Sequence, residues 1–129
     1  MSQILLVGAD WRSRALLRAQ LIEDGLDVEA HDTVAAVIKS LWASKSLPSL
    51  LILDLSQSEN PAEDIAQIAQ WSKLLPVWIL AAPSVTAPEE LAHRGFEKIL
   101  FRPVDVGQAV RQIKDRLAAR GQESEHHSG

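Results

Sequence analysis

Four short aliphatic runs, each followed by a helix-like stretch, constrain this chain more than any other feature. They are Ile4-Leu5-Leu6-Val7, Leu50-Leu51-Ile52-Leu53, Val77-Trp78-Ile79-Leu80 and Ile99-Leu100-Phe101. Runs without polar alternation belong to strands buried on both faces, as in a parallel sheet covered by helices. A weaker fifth segment, 27–31, alternates polar and apolar residues around Val28 and Ala30, as an edge strand does.

The stretches between the runs carry helix signals. Asp10 can cap a helix running through Leu16, Leu17 and Leu21 to Gly25, which stops it. Thr33 opens a second, with Val34, Val37, Ile38 and Leu41 at i, i+3, i+4 and i+7. Asn60-Pro61-Ala62-Glu63 combines a capping Asn, a first-turn Pro and a Glu three residues after the cap; Ile65, Ile68, Ala69 and Ser72 then form the inward face. Pro88-Glu89-Glu90 begins a short helix ending near Arg94-Gly95, and Val106, Ala109, Val110, Ile113 and Leu117 stripe the last one. Five strands alternating with five helices predict one α/β domain, a doubly wound parallel sheet with right-handed crossovers. The domain is expected over 1–120, and 121–129 as a disordered tail with nothing to pack.

Composition narrows the function classes. The 129 residues suit one hydrophobic core, and 47% hydrophobic with 23% charged residues is globular usage. No apolar run approaches the roughly 18 residues of a membrane span and no signal-type segment opens the chain, so a cytoplasmic protein without membrane association is predicted. The absence of cysteine excludes disulfides, thiolate metal sites and thiol catalysis. The net charge of −4 hides an asymmetry: residues 1–93 carry 6 Lys/Arg against 12 Asp/Glu, whereas residues 94–120 carry 7 against 3. That basic segment is either a solvated helix face or a surface for an acidic partner, and the first helix carries Arg12, Arg14 and Arg18 of its own. Nucleic acid is not an expected ligand, given the overall negative charge and no recognition module.

Few residues carry chemistry. Asp54 ends the run Leu50–Leu53, and open α/β sheets place reactive groups at the C-terminal ends of their strands. His31 and His93 fall near element ends, His126-His127 is no metal site by itself, and Gly8-Ala9-Asp10 is too short for a dinucleotide fingerprint. Trp71 and Trp78 read as packed and Trp42 as peripheral, while Trp11 reads as a loop residue that covers a pocket or anchors a partner.

Residues 3–120 resemble the receiver domain of two-component response regulators, a chemotaxis-type, flavodoxin-like fold with sheet order 2-1-3-4-5. The pattern is distributed: Ile4–Val7 before an acidic loop position, then Asp10, Arg14, Leu17, Leu21 and Gly25, Leu51-Ile52-Leu53-Asp54, the segment 76–82, and Phe101-Arg102-Pro103-Val104. The resemblance implies Asp54 as phosphoacceptor for a histidine kinase and a cis bond before Pro103. In the family, two acids join the acceptor in holding Mg²⁺, and a Ser/Thr and a Lys contact the phosphoryl group, positioning and charge stabilisation being the means of catalysis.

Here the acid-pair positions are Gly8 and Ala9, the hydroxyl position is Ala81, the switch-aromatic position is Ile99, and the Lys position is Arg102. Asp10 is either a helix cap or a weak metal ligand beside Asp54, and Arg102 either pairs with Asp54 through its planar fork or points to solvent. The loop 55–60 lacks the family's Pro and Gly, so the carbonyl ligand expected at Ser56 is in question. Two functions are carried forward. One is a degenerate receiver, a Mg²⁺-independent interaction module with no cofactor and no enzymatic activity, meeting a signalling protein or a second copy of itself. The other is a phosphoacceptor receiver that takes Mg²⁺ and is phosphorylated at Asp54.

Overall fold

A computed structural model of the chain describes residues 3–82 and 88–128. The elements alternate without exception: β1 Ile4–Gly8, α1 Trp11–Glu23, β2 Val28–His31, α2 Val34–Ala43, β3 Leu50–Asp54, α3 Pro61–Ala69, β4 Val77–Ala81, α4 Pro88–Leu91, β5 Lys98–Phe101 and α5 Val106–Ser128. All strand pairs are parallel and the order is β2-β1-β3-β4-β5. This is the expected doubly wound sheet, with β1 and β3 adjacent and the chain winding outward from them in both directions.

Two-residue periodicity divides the core. Leu5, Val7, Leu51, Leu53, Val77 and Ile79 point to the layer of α2 and α3, where Val37, Leu41, Ile65 and Ile68 meet them. Ile4, Leu6, Leu50, Ile52, Trp78 and Leu80 point the other way, onto Leu17 and Leu21 of α1 and Val110 and Ile113 of α5. Burying one such side chain contributes about 1.5–3 kcal/mol, which is why the three central strands tolerate no polar position except at their ends.

The caps follow the sequence signals. Asp10 accepts from the amides of Arg12 (3.1 Å) and Ser13 (3.5 Å), Thr33 from Ala36 N (3.1 Å) and Asn60 from Glu63 N (3.2 Å). Trp11 is the first residue of α1 and not a loop residue, because the cap falls one position earlier, on Asp10. The Arg102-Pro103 bond is cis. Backbone helix in α5 continues past Gly121, where composition predicts an irregular tail. One glycine costs a helix about 1 kcal/mol, and no proline follows to end it. The side chains of 120–128, His126 and His127 among them, lie outside the described residues. No helix among the described residues is long and apolar enough to cross a membrane.

Candidate functional site: a clasped carboxylate at the sheet edge

Three distant segments deliver side chains to one point at the C-terminal edge of the sheet. Along β3, Leu50, Ile52 and Asp54 share the face turned to α1 and α5. Along β5 and its continuation, Lys98, Leu100 and Arg102 share that face. On α1, Ser13 stands four and eight residues before Leu17 and Leu21, so it occupies the start of the inward stripe, where the helix meets the strand ends.

These placements bring Asp54, Ser13 and Arg102 into contact. Asp54 is 2% exposed and is the only buried charged residue described. Its Oδ2 accepts from Ser13 Oγ at 2.8 Å and from Arg102 Nη2 at 2.6 Å. The same Nη2 also donates to Ser13 Oγ at 2.5 Å, closing a triangle. The other oxygen, Oδ1, accepts the Ser56 amide at 3.0 Å. Arg102 is not swung out to solvent; the ion pair is formed. Its Nε is buried with no hydrogen-bond partner among the described residues, a cost of the order of 1–3 kcal/mol that the pair offsets.

The surroundings do not fit Mg²⁺. That ion demands near-octahedral oxygen coordination at roughly 2.0–2.1 Å. Gly8 lies directly beside Asp54 in the β1–β3 register, and neither it nor Ala9 carries a side-chain donor. The carboxylate of Asp10 is turned into the N-cap of α1. The Gly8 carbonyl accepts from Arg14 Nη1, so a second guanidinium stands on this edge. Among the described residues no three His, Cys, Asp or Glu side chains cluster as a metal site. Asp54 and Arg102 form one ion pair, braced by Ser13 and the Ser56 amide, with Arg14 held on the neighbouring Gly8 carbonyl.

Ser13 is the site residue that the sequence does not single out, and Arg14, read there only as part of the receiver pattern and of a basic helix, joins the site through the Gly8 carbonyl. The available signal was the position of Ser13 on the Leu17/Leu21 stripe, which makes a hydroxyl there inward-facing. Ala81 and Ile99 lie in the adjacent strands and bring no hydroxyl or aromatic to the site. Ser56 contributes its amide to Asp54, and the loop passes through Gln57 with φ +62° before Asn60 starts α3.

On the α2/α3 side of the same edge lies an open cleft of about 550 Å³, lined by Gly8, Asp32, Asp54, Glu59, Glu63 and Asp64 among others. Elsewhere, Glu29 accepts from Ser40 Oγ (2.5 Å) and from His31 Nε2 (2.6 Å). The Ser40 hydroxyl first, and His31 second, hold its carboxyl below the ordinary value despite partial burial. The basic surface shared by α1 and α5 is partly neutralised: Lys114 pairs with Asp24 at 3.8 Å and Arg116 with Glu97.

No protein-family sequence pattern and no curated protein matches the chain. Solved structures do. A CheY-like response regulator receiver domain protein from Methanospirillum hungatei JF-1 superposes with a TM-score of 0.75 at 16% identity, covering 95% of this chain and 98% of that one. The signal receiver domain of a putative Luxo repressor protein from Vibrio parahaemolyticus gives 0.72 at 24% identity, over 99% and 98%. A response regulator receiver protein from Pseudomonas putida gives 0.72 at 24% identity, over 87% and 94%. With the five parallel strands in order 2-1-3-4-5, the chain has the fold of response-regulator receiver domains.

Proposed function

We propose that this chain is a receiver-fold module of two-component signalling that recognises a protein partner without Mg²⁺-dependent phosphorylation of Asp54. The observation that carries the reading is the occupancy of the Asp54 carboxylate. Oδ2 is shared by Arg102 and Ser13, Oδ1 is taken by the Ser56 amide, and the neighbouring Gly8 and Ala9 offer no oxygen donors from their side chains. An incoming phosphoryl group needs a cation shared between acceptor and phosphoryl oxygens. Arg102 supplies a cation, but it is spent on the acceptor itself.

The partner is a histidine kinase or a downstream effector. Family resemblance puts the contact on α4, β5 and α5, where Phe101 is 40% exposed. The protein acts by binding and not by turnover, and needs no cofactor for it.

The test is phosphorylation. The protein is incubated with Mg²⁺ and a small-molecule phosphodonor, or with beryllofluoride, and its intact mass and tryptophan fluorescence are followed. The expected outcome is no adduct and no Mg²⁺-dependent fluorescence change. A phosphoryl adduct that disappears in Asp54→Asn establishes instead the second reading, a phosphoacceptor receiver in which Arg102 releases the carboxylate.

A further inference from the structure

At the end of the sheet opposite Asp54, a cleft of about 320 Å³ opens between the start of β5 and the middle of α5. It is lined by Trp78, Glu97, Lys98, Gln112, Asp115 and Arg116. Lys98 stands beside Trp78 in the β4–β5 register, and Trp78 is the innermost of these side chains, 2% exposed. The volume is that of a small-molecule site.

Three polar groups in this cleft lack the partner their chemistry calls for. Trp78 Nε1 is buried with no hydrogen-bond partner among the described residues. A buried indole N–H normally finds an acceptor, and going without one costs free energy. The Lys98 ammonium lies over the same indole, 4.9 Å from the ring centre, and donates to Gln112 Oε1 at 2.6 Å. Both of those partners are neutral. Asp115 forms no salt bridge among the described residues, neither with Lys98 nor with Arg111 one turn earlier on α5; the charge pair in the cleft is Arg116 with Glu97. One cation and one anion thus line the same cleft without neutralising each other.

We propose that this cleft binds a free α-amino acid as its zwitterion. One carboxylate oxygen of the ligand accepts from Trp78 Nε1, and the other takes the place of Gln112 Oε1 on the Lys98 ammonium. The ligand's own ammonium meets Asp115. Because the Lys98 ammonium lies over the indole, its turn toward the ligand uncovers the N–H. The span fits a compact ligand: Lys98 reaches the side chain of Gln112, and Gln112 and Asp115 are three residues apart on α5, with about 5–6 Å between such Cβ atoms. Each new contact is a charge-assisted hydrogen bond. With two acids and two bases in the lining, an ion of either sign alone gains at one end and loses at the other. The site shares no residue with the Asp54 clasp, so it stands whatever the outcome of the phosphorylation test.

The indole N–H reports on the site directly. In ¹H–¹⁵N spectra of the whole chain the four tryptophans give four indole signals, and that of Trp78 is the one lost in Trp78→Phe. Titration with glycine or L-serine is expected to shift the Trp78 signal saturably, with half-saturation at about 1–10 mM, and to leave the Trp11 signal in place. Acetate and methylammonium, which carry one charge each, bind about tenfold more weakly. No shift of the Trp78 signal up to about 100 mM amino acid overturns the proposal, as does a shift common to all four indoles. Acetate binding as tightly as glycine overturns the zwitterion and leaves a site for simple carboxylates. Lys98→Met and Asp115→Asn each weaken glycine binding about tenfold with unchanged thermal melts, and Lys98→Arg keeps it; full affinity in either of the first two variants also overturns the assignment.

Discussion

Asp54 and Arg102 are unequal partners, and the inequality sets what each substitution does. Asp54 is 2% exposed while Arg102 keeps 29% of its side chain in solvent. Arg102→Met leaves a buried carboxylate without its counter-charge, with only Ser13 and the Ser56 amide to satisfy it. Losing the partner of a fully buried pair costs about 3–5 kcal/mol, and the solvated arginine end reduces this to about 2–3. Asp54→Asn removes the charge but keeps an oxygen acceptor, and the freed arginine can hydrate, so it costs about 1 kcal/mol. Urea denaturation at neutral pH should rank the two in that order, and near-equal midpoints for Arg102→Met and the wild type would refute the clasp. Two residues of this triad are legible in the sequence. Asp54 is legible because it ends a buried run, and Arg102 because the receiver resemblance places the family's Lys at its position. Ser13 is not. Its hydroxyl acquires meaning only when the end of β5, 89 residues further along, arrives beside it.

At the level of elements, the alternating runs and caps translate into structure because local signal and burial agree: Asp10, Thr33 and Asn60 cap the helices they precede. Legibility fails where apolar residues are adjacent on one helix. The pair Leu16-Leu17 does not say which leucine faces the sheet; Leu17 is buried and Leu16 is exposed. The β2–α2 connection carries a pH dependence. Ser40 and His31 hold the Glu29 carboxyl below its ordinary 4.5. A depressed acid contributes stability above its unfolded value and loses it as pH falls through the folded one. Glu29→Gln should therefore be less stable than wild type at pH 6, with the gap closing below about pH 4.5; an acid-independent gap would show that the link is not ionic. The β3–α3 loop holds Gln57 at φ +62°, where a side chain is unfavourable. Gln57→Gly is expected to raise stability by about 0.5–1 kcal/mol in thermal melts, and a loss would mean that the side chain holds the loop.

For the molecule as a whole, the sheet edge where receiver-type chemistry is sited has become a fastening among α1, β3 and β5. A fold that switches needs two arrangements of nearly equal free energy, and a network that satisfies a buried charge favours one of them. Under the proposed function, the partner-binding surfaces are presented in that one state.

The closeness of Gly8 to Asp54 has a consequence for reversibility. A Cβ built on Gly8 would stand 3.0 Å from the Asp54 Cβ, so β1 and β3 have settled around the lack of a side chain. Gly8→Asp with Ala9→Asp writes back a pair of acids, yet the first must push aside a carboxylate that three hydrogen-bond donors hold. The double variant is expected to be less stable than its parent and to bind Mg²⁺ no better by calorimetry; tight binding would show the edge to be yielding. The step at Gly8 thus carries a packing cost of its own, set by the backbone spacing of β1 and β3, that any gain from a ligand must first offset.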